Sequence, residues 1–384
     1  MSIRLEEKEY SKSFELKTWL RLGRFMKPYK AAFITVFLLN IGAAVIDISL
    51  PLFQRYAIDN FVEGQTVEGL GVFALAYTAA ICLQTVITIV FCRLSMKNEM
   101  YIGRDMKHDC FVHLQTLSLS YYNVTPVGYI LARVMSDTNR IAGMLAWQLT
   151  DMTWQIGYVF GVFIAMLFLN VKLALMVMVV VPLLVILTIY FQKRILLWNR
   201  KIRRQNSKIT SAYNEGITGA KTSKTLVIED QNCREFEELT TEMRVAGVRA
   251  ARLRGIFLPL MLLLSSIVTA VVLNQGGHMV LGGLMALGTL SAFTTYAVGI
   301  FEPIQNLAAN ISELISAQAN IERVMDLLDE KPMIEDSPEV VAKYGTAFEP
   351  KKENWEPIKG EIEFKDVSFK YPDGGEYVLQ HFNL

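Results

Sequence analysis

Cysteine is scarce in this 384-residue chain, and the four present, Cys82, Cys92, Cys110 and Cys233, follow no pairing pattern. A disulfide framework is therefore excluded, and all four are expected to be free thiols. Histidine is equally sparse: His108, His113, His278 and His381 have no ligand spacing with a cysteine or a carboxylate, so no metal site is expected. Charge is thin and balanced, with 20% charged residues and a formal net charge of +1. Net charge near neutral by itself says nothing about nucleic acid, and no nucleic-acid partner is expected. A secretory signal is also missing: Met1 to Lys30 is dense in charge, without a short apolar core or a small-residue cleavage site. The amino terminus is expected to stay in the cytoplasm.

What the chain does have is long apolar runs. Apolar residues make up 52% of it, which points to a polytopic membrane protein rather than a soluble enzyme. Six stretches meet the length rule of about twenty mostly apolar residues: Ala31 to Phe53, Gly71 to Cys92, Trp147 to Leu169, Leu173 to Phe191, Ile256 to Leu273 and Leu281 to Ile304. Lysine and arginine crowd the amino-terminal segment and the long connections after the second and fourth stretches. The short connections hold only Arg55, Lys172 and none. Because basic residues are retained on the cytoplasmic side, both termini and both long excursions are expected there. The sequons at Asn123 and Asn310 then fall on the cytoplasmic side and go unmodified.

The long connections keep a helical period. Ile195, Trp198, Ile202, Ile209 and Ala212 recur at three- and four-residue steps, broken only at Gln205, and Phe236, Leu239, Met243, Ala246 and Ala250 answer them. Limbs of about twenty to thirty residues, at about 1.5 Å per residue, carry the bend some 30 to 45 Å beyond the spans. A second hairpin is expected between about Arg93 and Trp147. The tips are expected near Tyr121 to Gly128 and near Tyr213 to Gly219.

The sixth stretch continues with Leu307, Ile311, Leu314, Ile321, Met325 and Leu328 on one stripe, interrupted by Gln318. None of the spans reads as broken in the manner that holds coupling ions. At the amino end Leu16, Trp19, Leu20 and Leu22 oppose Lys17, Arg21 and Arg24, the pattern of a short basic helix lying on the bilayer surface or of an ordinary juxtamembrane cluster. After Glu330 the proline- and charge-rich residues 331–359 read as a linker. From Gly360, alternation over Ile362, Phe364, Val367, Phe369 and Tyr371, slipping at Asp366, predicts a bulged strand, with a further strand around Tyr377 to Leu379.

Taken in order, ISLPLFQRYAID, SLSYYNVTPVGYILARVMSDT, YNEGITGAKTSKTLVIED, FEPIQNLAANISELISAQANIERVMDLLDEKP and GEIEFKDVSFKYPDG resemble one half of an ATP-binding-cassette exporter of the six-span multidrug and lipid type. The resemblance covers Phe14 to Leu384. It implies an all-α polytopic membrane domain over residues 31–330, after a cytosolic elbow at 1–30. Six long helices would extend into the cytosol, and residues 360–384 would be the truncated β start of a nucleotide-binding domain. It also implies a second half-transporter as partner, homo- or heterodimeric, in the lipid bilayer of the plasma or inner membrane. Tyr121, Tyr122 and Gly128 at the first tip, and Tyr213, Glu215, Gly216 and Gly219 at the second, would dock on nucleotide-binding domains. Tyr371 would stack on the adenine of ATP, with magnesium present in the complete transporter. No GxxxxGK[ST] phosphate loop occurs in the chain, so it is not expected to hydrolyse ATP alone. The alternative is a truncated membrane subunit that pairs with a full-length partner without driving transport.

Ionisable groups inside spans are costly, about 2.5 to 3.5 kcal/mol at the centre on insertion scales, and usually face a cavity. Asp47, Asp151 and Glu302 are such groups, with Gln148 and Gln155 at helical spacing from Asp151. A pathway lined by these five residues would, through its three acids, favour cationic amphiphilic small molecules; the alternative is that acids such as Asp151 and Glu302 stand near the water interface and are simply solvated.

Overall fold

The computed structural model describes residues 15–332, 335–346, 348–357, 360–370 and 376–384. Its elements begin with α1 (Leu16–Arg21), α2 (Gly23–Met26) and α3 (Lys30–Ala57), the last running into a π-helical turn at Ile58–Glu63. Next come α4 (Leu70–Thr116), the short α5 (Leu119–Val124) and α6 (Val127–Leu131). A rod with two π-helical segments follows, Ala132–Asp137 and Met144–Gln148, which flank α7 (Thr138–Gly143) and lead into α8 (Leu149–Leu169). The longest helices are α9 (Val171–Thr218) and α11 (Glu229–Leu281), joined through α10 (Ala220–Leu226). The chain then forms α12 (Leu287–Gly299), α13 (Phe301–Asp329), α14 (Pro338–Tyr344) and two strands, β1 (Val367–Phe369) and β2 (Leu379–Phe382).

Five helical stretches among the described residues are long and apolar enough to cross a membrane: Lys17–Glu63, Leu70–Thr116, Val127–Leu169, Val171–Thr218 and Glu229–Leu281. The sixth apolar stretch behaves differently. Gly282 and Gly283, the latter at φ +69°, end α11, so the next helix starts at Leu287 and not at Leu281. It then breaks at Ile300, because Pro303 has no N–H to offer the Gly299 carbonyl one turn back. The stretch expected as one sixth span is thus divided between α12 and the start of α13.

Buried positions follow the helical period. On α9 they are Leu173, Val177, Leu184, Phe191 and Ile195; on α11 they are Phe257, Met261, Val268 and Val272. Together with Val162 and Met166 of α8, and Phe293, Tyr296 and Ala297 of α12, they form one core cluster. Lipid is as apolar as these side chains, so the helices gain from close packing more than from escaping water. Gly276 shows how close: a Cβ there would lie 2.4 Å from Leu290 Cδ1.

The rods continue past the apolar runs as the periodicity requires. Ala246 and Ala250 of α11 are buried against α9, Tyr213 meets Phe236 with ring centroids 4.8 Å apart, and Arg249 lies over the Trp198 ring. Gln205, which breaks the apolar seam, is buried and donates to Glu242. Around the amino end, Leu22 and Phe25 are buried and Trp19 half-buried, while Leu20 is 69% exposed, so Leu20 does not share the apolar face assigned to it. The side chain of Leu16 lies outside the described residues. The Glu15 N–H donates to the fully buried Gln318 Oε1 at 2.8 Å, and Arg21 pairs with Asp329. Both contacts hold α1 on α13.

The chain separates into two compact units, residues 1–113 with 125–330, and residues 114–124 with 331–384. In the second unit the expected linker is not wholly irregular. Ser337 accepts from the Val340 N–H at 3.3 Å and Pro338 opens the first turn, so α14 forms there. The strands β1 and β2 pair antiparallel with an irregularity between Val367 and Phe369, just past Asp366 at φ +49°. The second strand begins at Leu379, later than the pattern suggested. Tyr371 and the neighbouring turn at residues 373–375 lie outside the described residues.

Candidate functional site

Asp47 of α3 sits among three helices. Gln84 Nε2 of α4 donates to its Oδ1, and Trp154 Nε1 of α8 donates to its Oδ2 at 2.9 Å. These two neutral donors hold the carboxylate without a cationic neighbour among the described residues. It lines a cavity of about 310 Å³ with Asn40, Thr88, Phe91, Asp151 and Gln155. Asn40 is 6% exposed, and its Nδ2 has no partner. The cavity thus presents two carboxylates, an unused amide donor and aromatic walls, a combination that suits a cation carrying apolar groups.

The five residues expected to line one pathway do not converge. Asp47, Asp151 and Gln155 share this cavity, where Gln155 also accepts from Asn310 Nδ2 at 3.4 Å. Gln148 lies instead on a larger cleft of about 1130 Å³ between α7, α9 and α13, where it donates to Glu313. The π-helical segment ending at Gln148 shifts the register of the rod, so a constant helical step does not carry Gln148 and Asp151 onto one surface. Glu302 is exposed in the first turn of α13 and lines neither cavity.

At the first tip α5 carries Tyr121 and Tyr122, their rings edge to face at 5.5 Å. Tyr122 Oη donates to the Leu114 carbonyl at 2.5 Å, a second donor to an oxygen at the end of α4 that also accepts from the Leu117 N–H at 3.2 Å. Gly128 belongs to α6, past the reversal. The second tip falls at the far end of the expected stretch. Tyr213, Glu215 and Gly216 are still inside α9, whose last residue is Thr218. Gly219 N then donates to the Glu215 carbonyl at 2.8 Å, and the crosswise helix is α10. Glycine at 216 does not stop a helix that costs only about 1 kcal/mol to continue through it. The chain leaves α10 through Val227 at φ +56°, a conformation in which a β-branched residue is strained.

Other residues were not singled out from sequence. Arg323 of α13 donates twice to Asp137, from Nε at 2.7 Å and Nη2 at 2.8 Å, and again to Asn320 Oδ1 at 2.6 Å. Asp59 accepts from the Gly288 N–H at 2.7 Å, the missing cap of α12. Tyr296, fully buried, donates to the Ile48 carbonyl in the turn before Pro51, where the helix ladder of α3 is weakened. An aspartate in SDT and an arginine in IERV carry no local signal for each other, being 186 residues apart.

These features define a class: a multi-pass helical membrane protein whose helices outrun their apolar stretches and close through short tip helices. Residues 33–304 match the family described as the ABC transporter transmembrane region, and the chain belongs to that family. It is 28% identical over 368 residues to an ATP-dependent lipid A-core flippase of Desulfotalea psychrophila, covering 95% of this chain and 61% of that protein. It is 30% identical over 293 residues to a probable multidrug resistance ABC transporter ATP-binding/permease protein of Bacillus subtilis, covering 74% of this chain and 40% of that one. An uncharacterized ABC transporter ATP-binding protein of the same organism, YknV, is 25% identical over 374 residues, with 94% and 58% covered. The chain spans about three-fifths of the length of the first and last of these relatives.

Proposed function

We propose that the chain is the membrane half of an ATP-driven exporter that moves amphipathic drugs or lipid-like compounds out of the cell by alternating access, as a dimer with a second half-transporter. In this reading α12 and the first turn of α13 complete a sixth crossing of the plasma or inner membrane, and both ends of the chain are cytoplasmic. Residues 1–30 are the elbow, 31–330 the transmembrane domain, 331–359 the linker and 360–384 the opening strands of a nucleotide-binding domain. The observation that carries the proposal is the match of residues 33–304 to the transmembrane-region family, together with rods that outrun their apolar stretches and close through the short helices α5 and α10.

ATP with magnesium, when bound, supplies the free energy that draws two nucleotide-binding domains together. Among the described residues of 360–384 there is no loop-to-helix junction of the kind that cradles phosphates, and Tyr371, which the resemblance places against the adenine, lies outside the described residues. The roles left to this chain are mechanical and selective. Tyr121, Tyr122, Gly128, Tyr213, Glu215, Gly216 and Gly219 dock or shape the tips, while Asp47, Asp151 and Gln155 receive the cationic end of an amphiphile. The test is ATP-dependent uptake of fluorescent amphiphiles by inside-out vesicles carrying the protein with its partner. Uptake that stops on ATP removal supports the proposal; vesicles that neither bind ATP nor move any amphiphile overturn it.

A further inference from the structure

The larger cleft has a chemistry that the acidic cavity does not. Of its charged lining residues, three are arginines, Arg140 of α7 with Arg200 and Arg203 of α9, and only Glu313 of α13 is acidic. Glu313 is already engaged by Gln148. Among the described residues none of the three arginine side chains has a carboxylate or hydrogen-bonding partner. Basic residues flanking a span ordinarily point singly toward headgroups or water. Here they come from two separate helices and line one concavity. The wall between them is apolar, with Met144, Ile195 and Ile202.

We propose that this cleft binds a phosphate-bearing anion, with the phosphate held by Arg140, Arg200 and Arg203 and any attached hydrocarbon lying along the apolar wall. Guanidinium groups suit this task because their paired N–H donors match phosphate oxygens two at a time. A cleft of about 1130 Å³ holds a headgroup with part of its chains. The phosphate comes either from a lipid headgroup or from a free soluble anion. The site is separate from the acidic cavity, and its occupation does not require that the protein transport anything.

The experiment measures binding, not transport. The purified protein is placed in phosphatidylcholine nanodiscs, alone, with added phosphatidylglycerol, or with inorganic phosphate in solution. Thermal unfolding is followed as each anion is titrated. A saturable upward shift in midpoint is expected with at least one of the two anions. Arg140→Gln and Arg203→Gln should each weaken the apparent affinity about tenfold or more, the usual worth of a charged hydrogen bond. Arg140→Lys with Arg203→Lys should retain most of it, which separates loss of the site from loss of the fold. Lys201→Gln with Lys208→Gln, two lysines of the adjoining groove that shares Arg200 with the cleft, neither of them lining the cleft itself, should leave it unchanged. A shift confined to phosphatidylglycerol assigns the site to lipid, and one produced by phosphate assigns it to a soluble anion. The proposal fails if neither anion gives an arginine-dependent shift, or if the lysine pair matters as much as the arginines.

Discussion

Asp137 receives both prongs of the Arg323 guanidinium, at 2.7 and 2.8 Å, with the aspartate side chain 5% exposed and the arginine 25%. The pair ties the π-helical start of the rod after α6 to the far half of α13. Removing one partner of such a buried pair strands the other, at a cost of about 3 to 5 kcal/mol. Arg323→Ala should therefore lower the unfolding midpoint in detergent strongly, and Asp137→Asn less, because an amide still accepts one hydrogen bond. Replacing both residues by leucine should restore part of the loss. Equal midpoints for wild type and Arg323→Ala would show that the pair contributes nothing.

Asp47 is proposed to receive the charged end of a substrate. Asp47→Asn keeps the shape of the side chain and removes the charge, so export of cationic dyes should fall several-fold while neutral dyes are exported nearly as before. If the two classes fall together, the residue acts through packing and leaves the pathway.

Gly288 is the point where α12 meets the end of α3. A Cβ there would lie 2.4 Å from the Arg55 carbonyl and 2.5 Å from Asp59 Oδ1. Both are fixed groups, one backbone and one the cap of the helix. Gly288→Ala should cost about 1 to 3 kcal/mol, the range for overpacking. Gly277→Ala, with open space around it, is the control and should be neutral or slightly stabilising.

The four thiols should react in a definite order. Cys110 is fully buried beyond the apolar run of α4, and burial, with the adjacent Asp109 charge, pushes its thiol up to about 11. Thiolate is the reactive form, so Cys110 stays protonated and silent toward maleimide at pH 7 to 8, and gains reactivity only as pH approaches 11. Cys233, exposed on α11, should label first under the same conditions. Labelling of Cys110 at pH 7 at the rate of Cys233 would contradict the packing of α4.

Much of the architecture is legible in the sequence, because apolar length and a helical period are local signals. The rods of α9 and α11 appear with Ile195, Ala246 and Ala250 buried as the spacing implied. What the sequence hid has a common cause, which is that a partner lies far away. Gln318 reads as a flaw in an apolar stripe until Glu15 arrives to use it, and Asp59 reads as the end of a span until Gly288 arrives to be capped. The second tip, expected near Tyr213 to Gly219, is met only at its far end: α9 runs on through Gly216 to Thr218, and the break falls at Gly219. The grouping of Gln148 with Asp151 failed because a constant helical step ignores the π-helical turn at Met144–Gln148. That the amphipathic face of α1 serves α13 could not be read from a helical wheel, which reports that a face is apolar and not what covers it.

The most direct test of the account asks on which side of the membrane the tips stand. Single cysteines are introduced in a cysteine-free background as Ser120→Cys on α5 and Ser223→Cys on α10. An impermeant maleimide is then applied to inside-out and to right-side-out vesicles. Both positions should label in inside-out vesicles and remain unlabelled in right-side-out ones until the membrane is opened with detergent. Labelling of either position in intact right-side-out vesicles would place that tip outside the cell, where no ATP-driven domain could reach it.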